Sequence, residues 1–213
     1  MKTDDLISML GANVERVDRR QFVRTLSSAV VVGAIVALGA MLFTFGIRAD
    51  LDEAGALTSL FLKLAFTMGI LVPASIYLIR LSRPGGERKT SIALMVLPFI
   101  AIMLLAAISL SSAPSSHWNK MITGDQWLEC LLSIPTIAIV PFAVIIWAVR
   151  RTAPTDLVRT GALVGLIAGA VSATGYALHC MDDSLPFVAL WYGGTIALCS
   201  FAGAKLGPWL LRW

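Results

Sequence analysis

Charge is scarce in this chain and unevenly placed. Charged residues are 14% of the 213 positions, against about 25% in an ordinary soluble domain. They avoid six long apolar stretches almost completely. That excludes a soluble globular domain, and it argues against a proton pump or ion transporter, which places ionisable groups at mid-membrane. Cysteine and histidine are also few, three and two. No Cys-x-x-Cys occurs, which weakens a membrane thiol oxidoreductase. No His-Glu-x-x-His, no Gly-x-Ser-x-Gly and no phosphate-binding glycine loop is present. The residues therefore offer no catalytic group, no resident metal and no cofactor site, and the reading is of a non-enzyme.

What the chain has in abundance is apolar length. It is 57% hydrophobic, with a mean hydropathy of +0.81. The stretches run over 26–47, 60–80, 90–112, 127–149, 157–178 and 187–210. About 20 apolar residues cross a hydrocarbon core about 30 Å thick. The expected fold is all-α: a polytopic membrane protein of six transmembrane helices joined by short linkers. More than twenty charged or polar-rich residues precede the first stretch and five more spans follow, so a cleaved signal peptide is not expected.

The linker charges alternate by side. One side carries Lys2, Arg16, Arg19, Arg20, Arg24, Arg80, Arg83, Arg88, Lys89, Arg150, Arg151, Arg159, Lys205 and Arg212, with six acids. The other has only Arg48 and Lys120, with Asp50, Asp52, Glu53, Asp125, Glu129, Asp182 and Asp183. The positive-inside rule then places both termini in the cytoplasm. Lys63, the remaining cation, sits near the outer end of span two, from where it can snorkel. The pI near 9.2 is a topology signal here, not a nucleic-acid one.

Gly161, Gly165 and Gly169 in span five, with Gly203 and Gly207 in span six, form small-xxx-small series that let helices approach closely. Packing within one bundle is the favoured reading, and a dimerisation face stays open. Prolines 73, 98, 135 and 141 lie inside spans and predict kinks. Trp118, Trp127, Trp191, Trp209 and Trp213 sit near the boundaries, where an aromatic belt would be.

Two places carry polar chemistry. Residues 1–25 form a cytoplasmic segment ahead of the sensor bundle of residues 26–213. Thr3 or Asp4 can cap a short helix, and Asp4 and Asp5 suit its positive end. Leu6, Leu10, Val14 and Val17 draw an apolar stripe. Such a stripe lies on a bilayer or fills a partner's groove. The second place is the outer face, where Trp127-Leu128-Glu129-Cys130 opens span four and His179-Cys180-Met181-Asp182-Asp183-Ser184 joins spans five and six. Cys130 and Cys180 share one side. They are read either as buried small residues, as a disulfide or reversible thiol pair, or as part of a metal site with His179 and Glu129 or Asp182, for which no tight ligand spacing exists. Cys199 lies mid-span as packing, and His117 sits alone in a Pro-Ser-Ser segment read as flexible, with no assigned role.

These residues resemble the NrsF-type membrane anti-sigma factors. The likeness runs through Thr3-Asp4-Asp5-Leu6-Ile7, Val17-Asp18-Arg19-Arg20 and Leu62-Lys63-Leu64-Ala65-Phe66-Thr67. It continues in Trp-Leu-Glu-Cys-Leu at 127–131, Arg-Arg-Thr-Ala-Pro-Thr at 150–155, the glycine-rich 161–169, Tyr-Ala-Leu-His-Cys at 176–180, Leu190-Trp191-Tyr192 and the Gly-Pro-Trp-Leu-Leu-Arg-Trp ending. It covers nearly the whole chain; Met181 stands where many relatives carry proline. The resemblance implies a bacterial inner-membrane protein that holds an extracytoplasmic-function sigma factor inactive, with no direct nucleic-acid contact. By it, Asp4, Asp5, Leu6, Ile7, Met9 and Leu10 bind the sigma factor. The family's paired outer cysteines map to Cys130 and Cys180, with His179, Asp182 and Asp183 beside them at a signal-sensing site. The sequestering partner and the lipid bilayer are then its two environments, and a homodimer stays open. The competing reading is a small membrane transporter or channel subunit.

The side assignment is directly testable. A phosphatase fused after Trp213 should stay inactive and a fluorescent protein fused there should glow; the opposite pair of results would overturn the sidedness.

Overall fold

A computed structural model describes residues 3, 19–50, 54–81, 92–152, 154 and 156–212. Helices α1 (Arg19–Thr44), α2 (Ala54–Leu81), α3 (Ala93–Ser111), α4 (Trp118–Thr123), α5 (Trp127–Val149), α6 (Leu157–Tyr176) and α7 (Leu185–Leu210) follow in order. They form six helical stretches long and apolar enough to cross a membrane, the fourth of which, Ser115–Val149, takes in α4 together with α5. The described residues contain no strand. With no water in the hydrocarbon region, a helix is the form that satisfies every backbone group within its own segment.

Local chemistry sets the ends. The first span was expected over 26–47, but α1 starts at Arg19 and stops at Thr44. Gly46 explains the early stop: its φ of 74° is left-handed, and it turns the chain out of the helix. Asp156 caps α6 by accepting from the Arg159 N–H at 2.9 Å, and Ser184 caps α7. The Pro-Ser-Ser segment near His117, read as flexible, instead forms a 3₁₀ turn, Ser115–His117, running into α4. Trp118 Nε1 holds that turn by donating to the Ala113 carbonyl at 3.1 Å. Pro73, Pro98, Pro135 and Pro141 all sit inside helices that continue through them.

Helix α6 is the axis of the bundle, and most of its residues are buried. Gly161, Gly165 and Gly169 face α7 of the same chain, and Gly175 faces α1. A Cβ on Gly161 would collide with the Gly203 carbonyl oxygen and come within 2.7 Å of the Gly207 Cα. A Cβ on Gly165 would meet the Cys199 carbonyl oxygen, with the carbonyl carbon at 2.9 Å. The small-xxx-small series thus brings two backbones into direct contact inside one bundle. In lipid, where no hydrophobic force drives helices together, such close packing supplies much of the association energy. Ser200 adds a hydrogen bond to the Ala162 carbonyl at 3.0 Å.

Around this axis the core divides in two. Leu26, Leu78, Leu81, Ile145, Val149, Val164 and Ile167 fill one end. Phe66, Ile70, Cys130, Ile134, Tyr176, Cys180, Phe187, Tyr192 and Ile196 fill the other. Helix α3 is held mainly from one side, by the edge-to-face pair of Phe66 and Phe99 at 5.6 Å, and Gly69 makes room for Pro98. Its other side exposes Leu97, Ile100, Leu104 and Ile108. Facing lipid, such a surface carries no cost; facing water it would be a large apolar patch.

The glycine contact yields a contrast. Gly165→Leu, which has backbone on its Cβ position, should lower the unfolding midpoint of the detergent-solubilised protein sharply, since overpacking costs about 1–3 kcal/mol or more. Gly39→Ala, with nothing within 4 Å of the added carbon, should leave the midpoint unchanged or raise it by up to about 1 kcal/mol in stability.

Candidate functional site

The end of the bundle that gathers the α1–α2, α4–α5 and α6–α7 connections holds two cations with almost no access to water. Arg48 is 3% exposed and Lys63 is 0% exposed. A buried unpaired charge is prohibitively unfavourable, so each must be matched by acceptors. Arg48 follows the Gly46 turn and points inward. Its Nε and Nη2 donate to the two carboxylate oxygens of Asp50 at 2.6 and 2.7 Å. Its Nη1 and Nη2 donate to Asp183 at 3.0 and 2.8 Å, and Nη1 also reaches the Cys180 carbonyl at 3.3 Å. These bonds use the whole five-donor fork of the guanidinium. Lys63 donates to Asp183 Oδ1 at 2.7 Å and to the Cys180 carbonyl at 2.9 Å, and its ammonium lies 5.8 Å from the centre of the Tyr192 ring.

Lys63 therefore does not snorkel. It stands between α2 and the α6–α7 connection, and its charge stays inside. The apolar span around it concealed this pairing. A lone lysine in such a span is expensive, and that expense was the signal that a partner carboxylate existed. Arg48 gave no comparable warning, because a linker arginine is normally solvated.

The electrostatics follow from these contacts. The hydrogen bonds that Arg48 donates to Asp50 and Asp183 push its guanidinium further up. Burial alone would raise the Asp183 carboxyl, but the bonds from Arg48 and Lys63 outweigh it and hold that carboxyl below its ordinary value. Asp50 is likewise held down by Arg48.

Asp182 does a different job. Its carboxylate accepts from the backbone N–H groups of Asp125 and Gln126 at 3.0 and 2.7 Å, where its charge suits the N-terminus of α5. Gly124 permits this twice over: its φ is 58°, and a Cβ there would meet Asp182 Oδ2 and Phe187 Cδ2, each at 2.7 Å. Gln126 Oε1 in turn accepts from the Met181 N–H at 3.2 Å. Ser184 donates to the Met121 carbonyl at 2.6 Å and Trp191 Nε1 to the Ile122 carbonyl at 2.9 Å. Trp127 and Trp191 pack over this junction with tilted rings, their centres 5.2 Å apart. His179 is half-buried, with its ring 5.2 Å from Phe45 and 5.9 Å from Tyr176.

Beneath these connections lie the thiols. Cys130, on the first turn of α5, and Cys180, just past α6, are both 0% exposed and belong to one buried cluster. They are free thiols, not a disulfide. Burial pushes the Cys180 thiol up, against the Lys63 charge and the Tyr192 hydroxyl, which favour the thiolate. The thiol is thus protonated at neutral pH and unreactive until something opens the site or displaces its proton. A π-helical turn, Val188–Tyr192, lies at the start of α7 beside them, and it ends at the buried Tyr192. The hydroxyls of Tyr176 and Tyr192 make no hydrogen bond of good geometry.

The expected sensing residues are thus brought to one end but sorted by role. Cys130 and Cys180 share a core, Asp183 anchors two cations, Asp182 pins the α4–α5 corner, and His179 packs on aromatic rings. Among the described residues no three His, Cys, Asp or Glu side chains are arranged to hold a metal ion. Asp4, Asp5, Leu6, Ile7, Met9 and Leu10 lie outside the described residues.

The molecule is a polytopic helical membrane protein whose polar core gathers at one end around buried cations and thiols. Its sequence matches the model of the NrsF family, "Negative regulator of sigma F", over residues 10–213. It is 32% identical to the probable anti-sigma-F factor NrsF of Azospira oryzae over 213 residues, covering 100% of both chains. It is 33% identical to the anti-sigma-F factor NrsF of Caulobacter vibrioides over 215 residues, again covering 100% of both. The chain belongs to the NrsF family. No solved structure matches it.

Asp183 provides the test of this site. Its folded carboxyl titrates below the unfolded value of about 3.9, so its stabilisation is present at neutral pH. That stabilisation is lost as pH falls below about 4 through the lowered folded value. Asp183→Asn leaves two buried cations short of a counter-charge and should cost about 3–5 kcal/mol at pH 7. Unfolding midpoints in detergent should show a wide gap between variant and wild type at pH 7 that narrows towards pH 3.

Proposed function

We propose that this protein is an inner-membrane anti-sigma factor, with both termini in the bacterial cytoplasm. Its N-terminal segment, residues 1–25, sequesters an extracytoplasmic-function sigma factor, and its bundle, residues 26–213, releases that factor on an envelope signal of thiol, redox or metal stress. The observation that carries the reading is full-length similarity to two anti-sigma-F factors, joined to a bundle whose buried polar core is built of ion pairs.

On this reading Leu6, Ile7, Met9 and Leu10 bury against the sigma factor, while Asp4 and Asp5 face its basic surface. Sequestration needs no chemistry; covering the surface that docks on the polymerase is sufficient. The signal enters at Cys130 and Cys180. Their burial in one cluster supports the assignment, because any group that engages the thiols must repack the same end of α5, α6 and α7. A coupling of about 1–3 kcal/mol between thiol state and sigma binding shifts affinity about 5- to 150-fold. His179, Asp182 and Asp183 support the thiols through the connections that they pin. Lys63 is what a transporter would carry inside a span, but its bonds to Asp183 and Cys180 commit it to the bundle and favour the regulatory reading.

Leu6→Asp or Leu10→Asp should switch on a sigma-dependent reporter without stress while the protein remains in the membrane fraction. Retained repression would remove the segment from the clamp. Cys130→Ser and Cys180→Ser should each abolish induction, and the double variant should match the singles, since residues acting as one unit are non-additive. Cys199→Ser should induce normally.

A further inference from the structure

The Cys180 carbonyl is gripped by two cations from two other elements: Lys63 of α2 at 2.9 Å and Arg48, just past α1, at 3.3 Å. A second tie runs alongside, from the Arg48 backbone N–H to the Leu178 carbonyl at 3.0 Å. Asp183, three residues on, accepts from the same two cations. One peptide of the α6–α7 connection is therefore clamped to the end of α1 and to α2 at the same time.

We propose that Lys63 and Arg48 form a latch that passes the position of the Cys180 peptide to α1. This rests on the reading under Proposed function. The carbonyl and the thiol belong to one residue, so a group that shifts the Cys180 side chain also shifts the acceptor. The cations have almost no water to turn to when that acceptor leaves, so the clamp is held or broken with little between, as a two-state element requires. Arg48 lies four residues beyond Thr44, the last residue of α1. At its other end, α1 begins at Arg19, within the proposed clamp segment of residues 1–25 and a few positions beyond Leu6, Ile7, Met9 and Leu10. A released Arg48 frees the far end of the helix that carries that segment. Lys63 and Arg48 are positioning residues: they act through the Cys180 peptide and α1.

The test uses the full-length protein in unstressed cells carrying a sigma-dependent reporter. Deleting the protein should raise the reporter; if it does not, the anti-sigma reading fails, independently of the latch. Lys63→Met should raise the reporter at least 10-fold, and should do so equally in the Cys130→Ser, Cys180→Ser background, because the latch lies downstream of the thiols. Lys63→Arg should keep repression, and Lys205→Met, at the other end of the bundle, should match wild type. A second measurement needs no sigma factor. In membranes of a variant retaining only Cys180, Lys63→Met should speed alkylation by N-ethylmaleimide at least 10-fold. If Lys63→Met fails to reach the membrane, Asp50→Asn loosens Arg48 alone and should raise the reporter about 3-fold and quicken alkylation. Repression left intact by Lys63→Met in the double-serine background, or alkylation unchanged by the variant that inserts, would overturn the latch.

Discussion

Two cations shut away from water dictate the arrangement at one end of this protein. Arg48 and Lys63 have no solvent to fall back on, so the chain must deliver acceptors to them. Asp50 comes from the same connection as Arg48. Asp183 and the Cys180 carbonyl come from more than a hundred residues away. Meeting that demand pulls the α6–α7 connection down onto α1 and α2. It also fixes where the Cys180 thiol lies, and it brings Asp182 beside Asp125 and Gln126, where it closes the start of α5. A neutral polar cluster in this position would allow looser alternatives; charges do not.

The other end obeys a different constraint. There α6 and α7 meet backbone to backbone across Gly161, Gly165, Gly203 and Gly207, and side-chain packing fills the rest. One end is thus held by contact that adding a single carbon atom would disturb, the other by charges that the displacement of a single peptide would strand. The two ends differ in what holds them: close backbone packing at one, paired buried charges at the other.

Much of this was legible beforehand. Six apolar stretches of sufficient length read directly as six helices, because a membrane leaves the backbone few other ways to satisfy its hydrogen bonds. The glycine spacing announced a close helix contact, and α7 of the same chain proved to be the partner. Cys130 and Cys180 were placed on one side by counting spans. The errors are as instructive. The segment after Pro114 looked like a flexible link because its serines carry no periodicity, yet Trp118 and the Met121 and Ile122 carbonyls tie it to its surroundings. Lys63 looked like a cation reaching for the surface. Its pairing with Asp183 spans 120 positions, and no local pattern reports a contact of that range.

The sequence by itself determined the number of spans, their approximate limits, the asymmetry of charge and the family to which the residues belong. Those properties are sums over neighbouring residues, and a bilayer reads them one segment at a time. Which charges find each other was decided only by the tertiary structure. Asp182 and Asp183 are adjacent and chemically alike, yet one caps the start of a helix and the other neutralises buried cations. Nothing in the chain distinguishes them until the Gly46 turn sends Arg48 inward and α2 presents Lys63 to the same point.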